Sequence, residues 1–84
     1  MNNMIKLLEC LHFRRKFFSD RSASWYEKRY DTILGRICIE ADIDSEKIYI
    51  YCNDKTEKNS VISKQYVMTA NRLKTLNYKM EGLK

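Results

Sequence analysis

The spacing of apolar residues changes period along the chain, and each change marks an element. From Asn3 to about Phe18, Met4, Leu7, Leu8, Leu11 and Phe18 fall on one face at about 100° per residue, which predicts a helix. Phe13 and Phe17 lie on the opposite side, with Lys6 and Lys16. Arg15 falls inside the stripe, so the helix either ends there or lets the guanidinium reach back to water. Ser19 to Ser24 is a polar break. Ser24-Trp25-Tyr26-Glu27 then fits a capping box and predicts a short helix from Trp25 to about Asp31.

The period next becomes two. Ile33, Gly35, Ile37, Ile39, Ala41 and Ile43 alternate with Leu34, Arg36, Cys38, Glu40, Asp42 and Asp44, which reads as a strand. Asp44-Ser45-Glu46-Lys47 separates it from a second run, Ile48 to Cys52. Pairing Ile43 with Ile48, Ala41 with Ile50 and Ile39 with Cys52 puts the apolar residues on one face. A slip by one residue would destroy that match. The opposite face then pairs Asp42 with Tyr49 and Glu40 with Tyr51.

Asn53 to Asn59 is a polar loop, and Ser60 can cap a long helix running to about Glu81. Ile62, Tyr66, Thr69, Ala70, Leu73, Leu76 and Met80 form its apolar stripe. Gly82 suits the left-handed position after a helix, with Leu83 folding back on the last turn. A rival reading makes Val61 to Met68 a strand, but its alternation is weak. The sum is an α+β fold over residues 1–84 as a single domain: helix, short helix, antiparallel hairpin, long helix. A two-stranded sheet has two open edges, so a homodimer with a continuous four-stranded sheet is the simplest remedy.

Composition adds direction to this frame. A 44% hydrophobic share supports a globular fold, with a thin core at 84 residues. The net charge of +5 is unevenly placed: +4 over residues 1–36, −4 over 37–54 and +5 over 55–84. Two basic ends around an acidic middle suit a polyanionic partner. Proline is absent and glycine occurs twice, leaving no linker to divide the chain. No apolar run approaches a membrane span, and Lys6 and Glu9 interrupt the one stretch resembling a signal core. Cys10, Cys38 and Cys52 lack C-x-x-C spacing, so reduced thiols and a cytoplasmic location are expected.

The chemistry concentrates in HFRRKFFSDRSASWYEKRY, His12 to Tyr30, with six basic residues and six aromatics. Cations neutralise phosphates and rings stack on unpaired bases. Phe13, Arg14, Arg15, Lys16, Phe17, Arg21, Tyr26, Lys28 and Arg29 are therefore predicted nucleic-acid contacts. Phe18, Trp25 and Tyr30 can instead fill the core. The outer side of the last helix adds Lys64, Asn71, Lys74, Tyr78 and Lys79, although such faces are usually just solvated. Trp25, Tyr49 and Tyr51 are predicted to anchor a protein interface, because Glu40, Asp42 and Glu46 beside the tyrosines repel phosphates.

No recognition motif for zinc, duplex DNA or RNA stands out, so shape and phosphate contacts with RNA or single strands are expected. No metal or cofactor is expected: Cys10 and His12 stand far apart on the helical wheel, and Cys38 and Cys52 alternate to opposite faces. Cys10 and Cys52 read as small buried hydrophobes. His12 has no carboxylate partner in view, and no enzyme is expected.

The lysine-, asparagine-, isoleucine- and tyrosine-rich character, as in KIYIYCNDKTEKNS, resembles small accessory proteins of T-even bacteriophages. The resemblance is compositional, covers the whole chain and transfers no functional residue. It implies host takeover or counter-defence in the host cytoplasm, by binding a host factor or its RNA; some such proteins inhibit toxin–antitoxin ribonucleases. The resulting expectation is a small basic RNA- or single-strand-binding protein, in the setting of a phage-type inhibitor. The alternatives are a protein-binding inhibitor or adaptor without nucleic acid, and a small RNA-processing enzyme.

Overall fold

A five-stranded antiparallel sheet carries the fold, with a helix at each end of the chain. The computed structural model describes residues 2–17, 24–52 and 61–84. The elements are α1 (Asn2–Cys10), β1 (Arg14–Phe17), β2 (Ser24–Thr32), β3 (Gly35–Asp42), β4 (Lys47–Cys52), β5 (Val61–Val67) and α2 (Ala70–Gly82). The strands lie in the sheet in chain order, each pairing with the next. The fold is α+β as expected, with more strand and less helix than the periodicity suggested.

The first helix stops at Cys10, well short of Phe18. The Phe13 amide donates to Leu8 O at 2.9 Å and the His12 amide to Glu9 O at 3.0 Å. His12 has φ 69°. This is a Schellman stop, with His12 in the left-handed position that glycine usually takes. The stop turns Phe13 into the core, 5% exposed, where a continuing helix would have left it outside. Arg14–Phe17 then pairs with β2, with Arg14 opposite Glu27 and Lys16 opposite Trp25.

The short helix expected at Trp25–Asp31 is instead part of β2. As a strand this segment pairs on both sides and buries Tyr26 and Tyr30 on one face. Tertiary pairing of aromatic positions outweighs a local capping box. The β3–β4 hairpin is present, with a register two residues from the expected one: Ala41 faces Ile48, Ile39 faces Ile50 and Ile37 faces Cys52. The turn is Ile43–Glu46, where Asp42 Oδ1 accepts the Asp44 amide at 3.0 Å and Glu46 has φ 57°. A two-residue change preserves the faces, so the isoleucines still point into the core.

Val61–Val67 forms β5, so the rival strand reading prevails over the long helix. The strand pairs with the outer edge of β4, Ile48 opposite Tyr66 and Tyr49 opposite Gln65. Ser60, the expected cap, lies outside the described residues, and Thr69 caps α2 by accepting the Arg72 amide at 3.1 Å. Gly82 closes α2 from within, and Leu83 caps it. With β2 and β5 flanking the hairpin, the open edges that motivated a four-stranded dimer sheet are filled within one chain.

Both helices cover one face of the sheet. Leu8 of α1 and Leu73 of α2 are fully buried with Tyr30, Ile39 and Ile48, and Leu76 and Met80 of the expected stripe pack against that cluster. Lys28 points into the same side. Its ammonium donates to Leu11 O and to Asn77 Oδ1, both at 2.8 Å, and pairs with Glu81 at 3.0 Å. Tyr30 Oη donates to Asn77 Oδ1 at 2.7 Å. Burial, with Glu81 nearby, pushes the Tyr30 phenol far up. Hydrogen bonds from Lys28 and then Lys84 hold the Glu81 carboxyl below its ordinary value.

Candidate nucleic-acid interface

Strand alternation sends every second residue to the sheet face opposite the helices, over which no helix lies among the described residues. Register aligns that face in rows. One row runs Arg14, Glu27, Glu40, Tyr49, Gln65 and the next Arg29, Cys38, Tyr51. Trp25 sits beside the first row, opposite Lys16. Trp25, Tyr49 and Tyr51, predicted as one interface, thus share this face, each half-buried. Burial, followed by Cys38 and Tyr49, pushes the Tyr51 phenol up.

Much of the acidic charge here has a cation at hand. Trp25 Nε1 donates to Glu27 Oε1 at 3.0 Å, and Arg29 Nε lies 3.3 Å from Glu27 Oε2. Arg36 pairs with Asp31 at 3.0 Å, and Lys47 stands opposite Asp42. Donor atoms of Glu27, Cys38 and Glu40 lie within 4.8 Å of one another. Two carboxylates and a thiol can in principle hold a divalent cation. Both Glu27 oxygens are already engaged by Trp25 and Arg29, which works against that use.

At the β1 end of the sheet a cleft of about 390 Å³ is lined by His12, Arg14, Lys16, Glu27, Lys28 and Arg29. The helix stop builds it: it delivers His12 and then Arg14 and Lys16 alongside Glu27 and Arg29 of β2. Four predicted contacts therefore converge. Lys28, expected as a phosphate contact, forms part of the wall, and its ammonium is turned to Leu11, Asn77 and Glu81. Sequence reasoning missed Glu27, and it left His12 as a surface residue without a carboxylate. Only the β1–β2 register brings a carboxylate into the same cleft.

The other predicted contacts disperse. Phe13 and Tyr26, expected to touch bases, are buried beneath the helices. Arg15 and Phe17 alternate to the side of β1 away from Arg14 and Lys16, with the Arg15 guanidinium 4.8 Å from the centre of the Phe17 ring. Phe17 is 56% exposed. Arg21 lies outside the described residues. Lys64 belongs to β5, so it shares no helix face with Lys74 and Tyr78, which stand exposed on α2. Asn71 and Lys79 line a second groove, of about 400 Å³, with Tyr66, Arg72 and Thr75; Arg72 stacks 4.5 Å from the centre of the Tyr66 ring. Cys10 and Cys52, expected to be buried, are exposed, while Cys38 is 1% exposed. Both sit at element ends, where the core no longer reaches them.

The fold defines a small α+β protein built on a sheet meander, helix-covered on one side. No family model, curated protein or solved structure matches this chain.

Proposed function

We propose that the protein binds single-stranded RNA along the β1 edge and the open face of its sheet. The observation that carries this reading is the concave cleft in which Arg14, Lys16 and Arg29 meet, beside a face bearing Trp25, Tyr49 and Tyr51. Arg14 and Lys16 neutralise backbone phosphates, while Arg29 is already paired with Glu27. The rings offer stacking surfaces to unpaired bases, which a duplex would not expose. Arg29 beside Glu27 and Lys47 opposite Asp42 offset part of the acidic charge on this face, while Glu40 stays beside Tyr49. The likeness to phage accessory proteins supplies a setting, an inhibitor that reaches a host ribonuclease through bound RNA in the cytoplasm.

Fluorescence anisotropy with a labelled oligoribonucleotide tests the reading. Binding is expected at low ionic strength, weakening between about 50 and 200 mM salt with a log–log slope near −1.4 for two neutralised phosphates. Absence of binding at low salt would end the proposal. A protein partner retained after nuclease digestion of a lysate would instead favour the adaptor reading, with Trp25, Tyr49 and Tyr51 as its anchors.

A further inference from the structure

We infer that the groove between β5 and α2 is a site for a free nucleoside diphosphate, with the base stacked on Arg72 and the phosphates held by Lys79. The groove lies at the opposite edge of the sheet from the β1 cleft, and the inference stands apart from the RNA reading.

The charge of this region is one-sided. No aspartate or glutamate occurs from Val61 to Met80, whereas Lys64, Arg72, Lys74 and Lys79 do. Tyr66 of β5 and Arg72, Thr75, Leu76 and Lys79 of α2 surround a space of about 400 Å³. That volume is in the range of small-ligand pockets. The carboxylate of α2, Glu81, is held by Lys28 and Lys84, each at 3.0 Å. In the β1 cleft, by contrast, Glu27 offsets part of the positive charge. Among the described residues, the walls of the β5–α2 groove hold cations and no acid.

The order of the side chains selects the ligand. Arg72, Leu76 and Lys79 follow at intervals of four and three, so they form one stripe along α2. Arg72 and Lys79 stand two turns apart, roughly 10 Å along the axis. The Arg72 guanidinium lies 4.5 Å from the centre of the Tyr66 ring. That stack fixes the guanidinium plane, and because Arg72 is exposed its outer face stays open. A nucleobase stacks on such a plane as it does on an aromatic ring. Half-buried Leu76 supplies an apolar floor beside it. Lys79 then meets negative charge at the far end of the stripe, a separation that a nucleoside diphosphate spans. The Thr75 hydroxyl, between the two cations, and the Asn71 amide can bond the sugar hydroxyls. A phosphate alone would leave the Tyr66–Arg72 stack unused, and a nucleoside alone would leave Lys79 unused.

The experiment titrates the protein with ADP, with adenosine and with inorganic pyrophosphate by calorimetry at low ionic strength. ADP is expected to bind at least about tenfold more tightly than either fragment, since each fragment lacks one end of the contact. Arg72→Lys keeps the charge and loses the plane, and Lys79→Gln loses the charge. Each should weaken ADP binding by about tenfold. Both side chains are exposed, so urea midpoints should stay near that of the parent. No binding of ADP at millimolar concentration would overturn the inference, as would full affinity in both variants or pyrophosphate bound as tightly as ADP. ADP binding lost in Arg14→Ala/Lys16→Ala would place the nucleotide in the β1 cleft and overturn it too. Displacement of ADP by an oligoribonucleotide with hydroxyl ends would make the groove a seat for RNA and would likewise overturn it.

Discussion

Lys28 joins three parts of the chain through one ammonium group. Its three protons are spent on the carbonyl ending α1, an amide in the middle of α2 and a carboxylate in the last turn of α2. Lys28→Met would leave the Leu11 carbonyl and Asn77 short of a donor, at a cost of about 2 kcal/mol by urea unfolding at neutral pH. The same node makes the fold acid-sensitive. The Glu81 carboxyl sits below its ordinary value near 4.5 in the folded chain. Its contribution is complete above the unfolded value and is lost as pH falls through the folded one. Urea midpoints should therefore drop between neutral pH and about 3, and drop less in Lys28→Met. An unchanged pH dependence in that variant would mean that Glu81 gains little from Lys28.

The elements divide by whether neighbours in sequence or neighbours in space decide them. The alternation of Ile37, Ile39 and Ala41, and of Ile48 and Ile50, made β3 and β4 legible, because half-buried strands print their period on the chain. Leu73, Leu76 and Met80 likewise announced the inner side of α2. β2 was obscured by a valid local helix signal at Ser24–Glu27, which lost to pairing with strands on both sides. β1 was hidden because its four residues are all exposed and carry no apolar rhythm. The candidate site shared that fate: the cations were visible, but the cleft that gathers Arg14 and Lys16 beside Glu27 and Arg29 depends on the β1–β2 register. Turn geometry is testable at this scale. Gly35, after the Ile33–Leu34 turn, has φ 109°, open to glycine and costly to other residues. Gly35→Ala should destabilise the protein by at least about 1 kcal/mol in urea, since alanine must adopt a backbone it disfavours.

On the scale of the whole molecule, the sheet has one face sealed by helices and one left to alternating rings and ions. If that second face works with the β1 rim, the double variant Arg14→Ala/Lys16→Ala should weaken RNA binding and flatten the salt slope by about 1.4, or 0.7 for each cation removed. Retention of the full slope would move the interface elsewhere, with the groove of Arg72 and Lys79 the next place to examine. The run Arg14-Arg15-Lys16 on an outermost strand has one further effect. A second copy docking there antiparallel would have to bring its own positive row against this one, and like charges facing across strands repel. The border proposed to hold a phosphodiester chain therefore also sets a charge barrier to sheet growth at that edge.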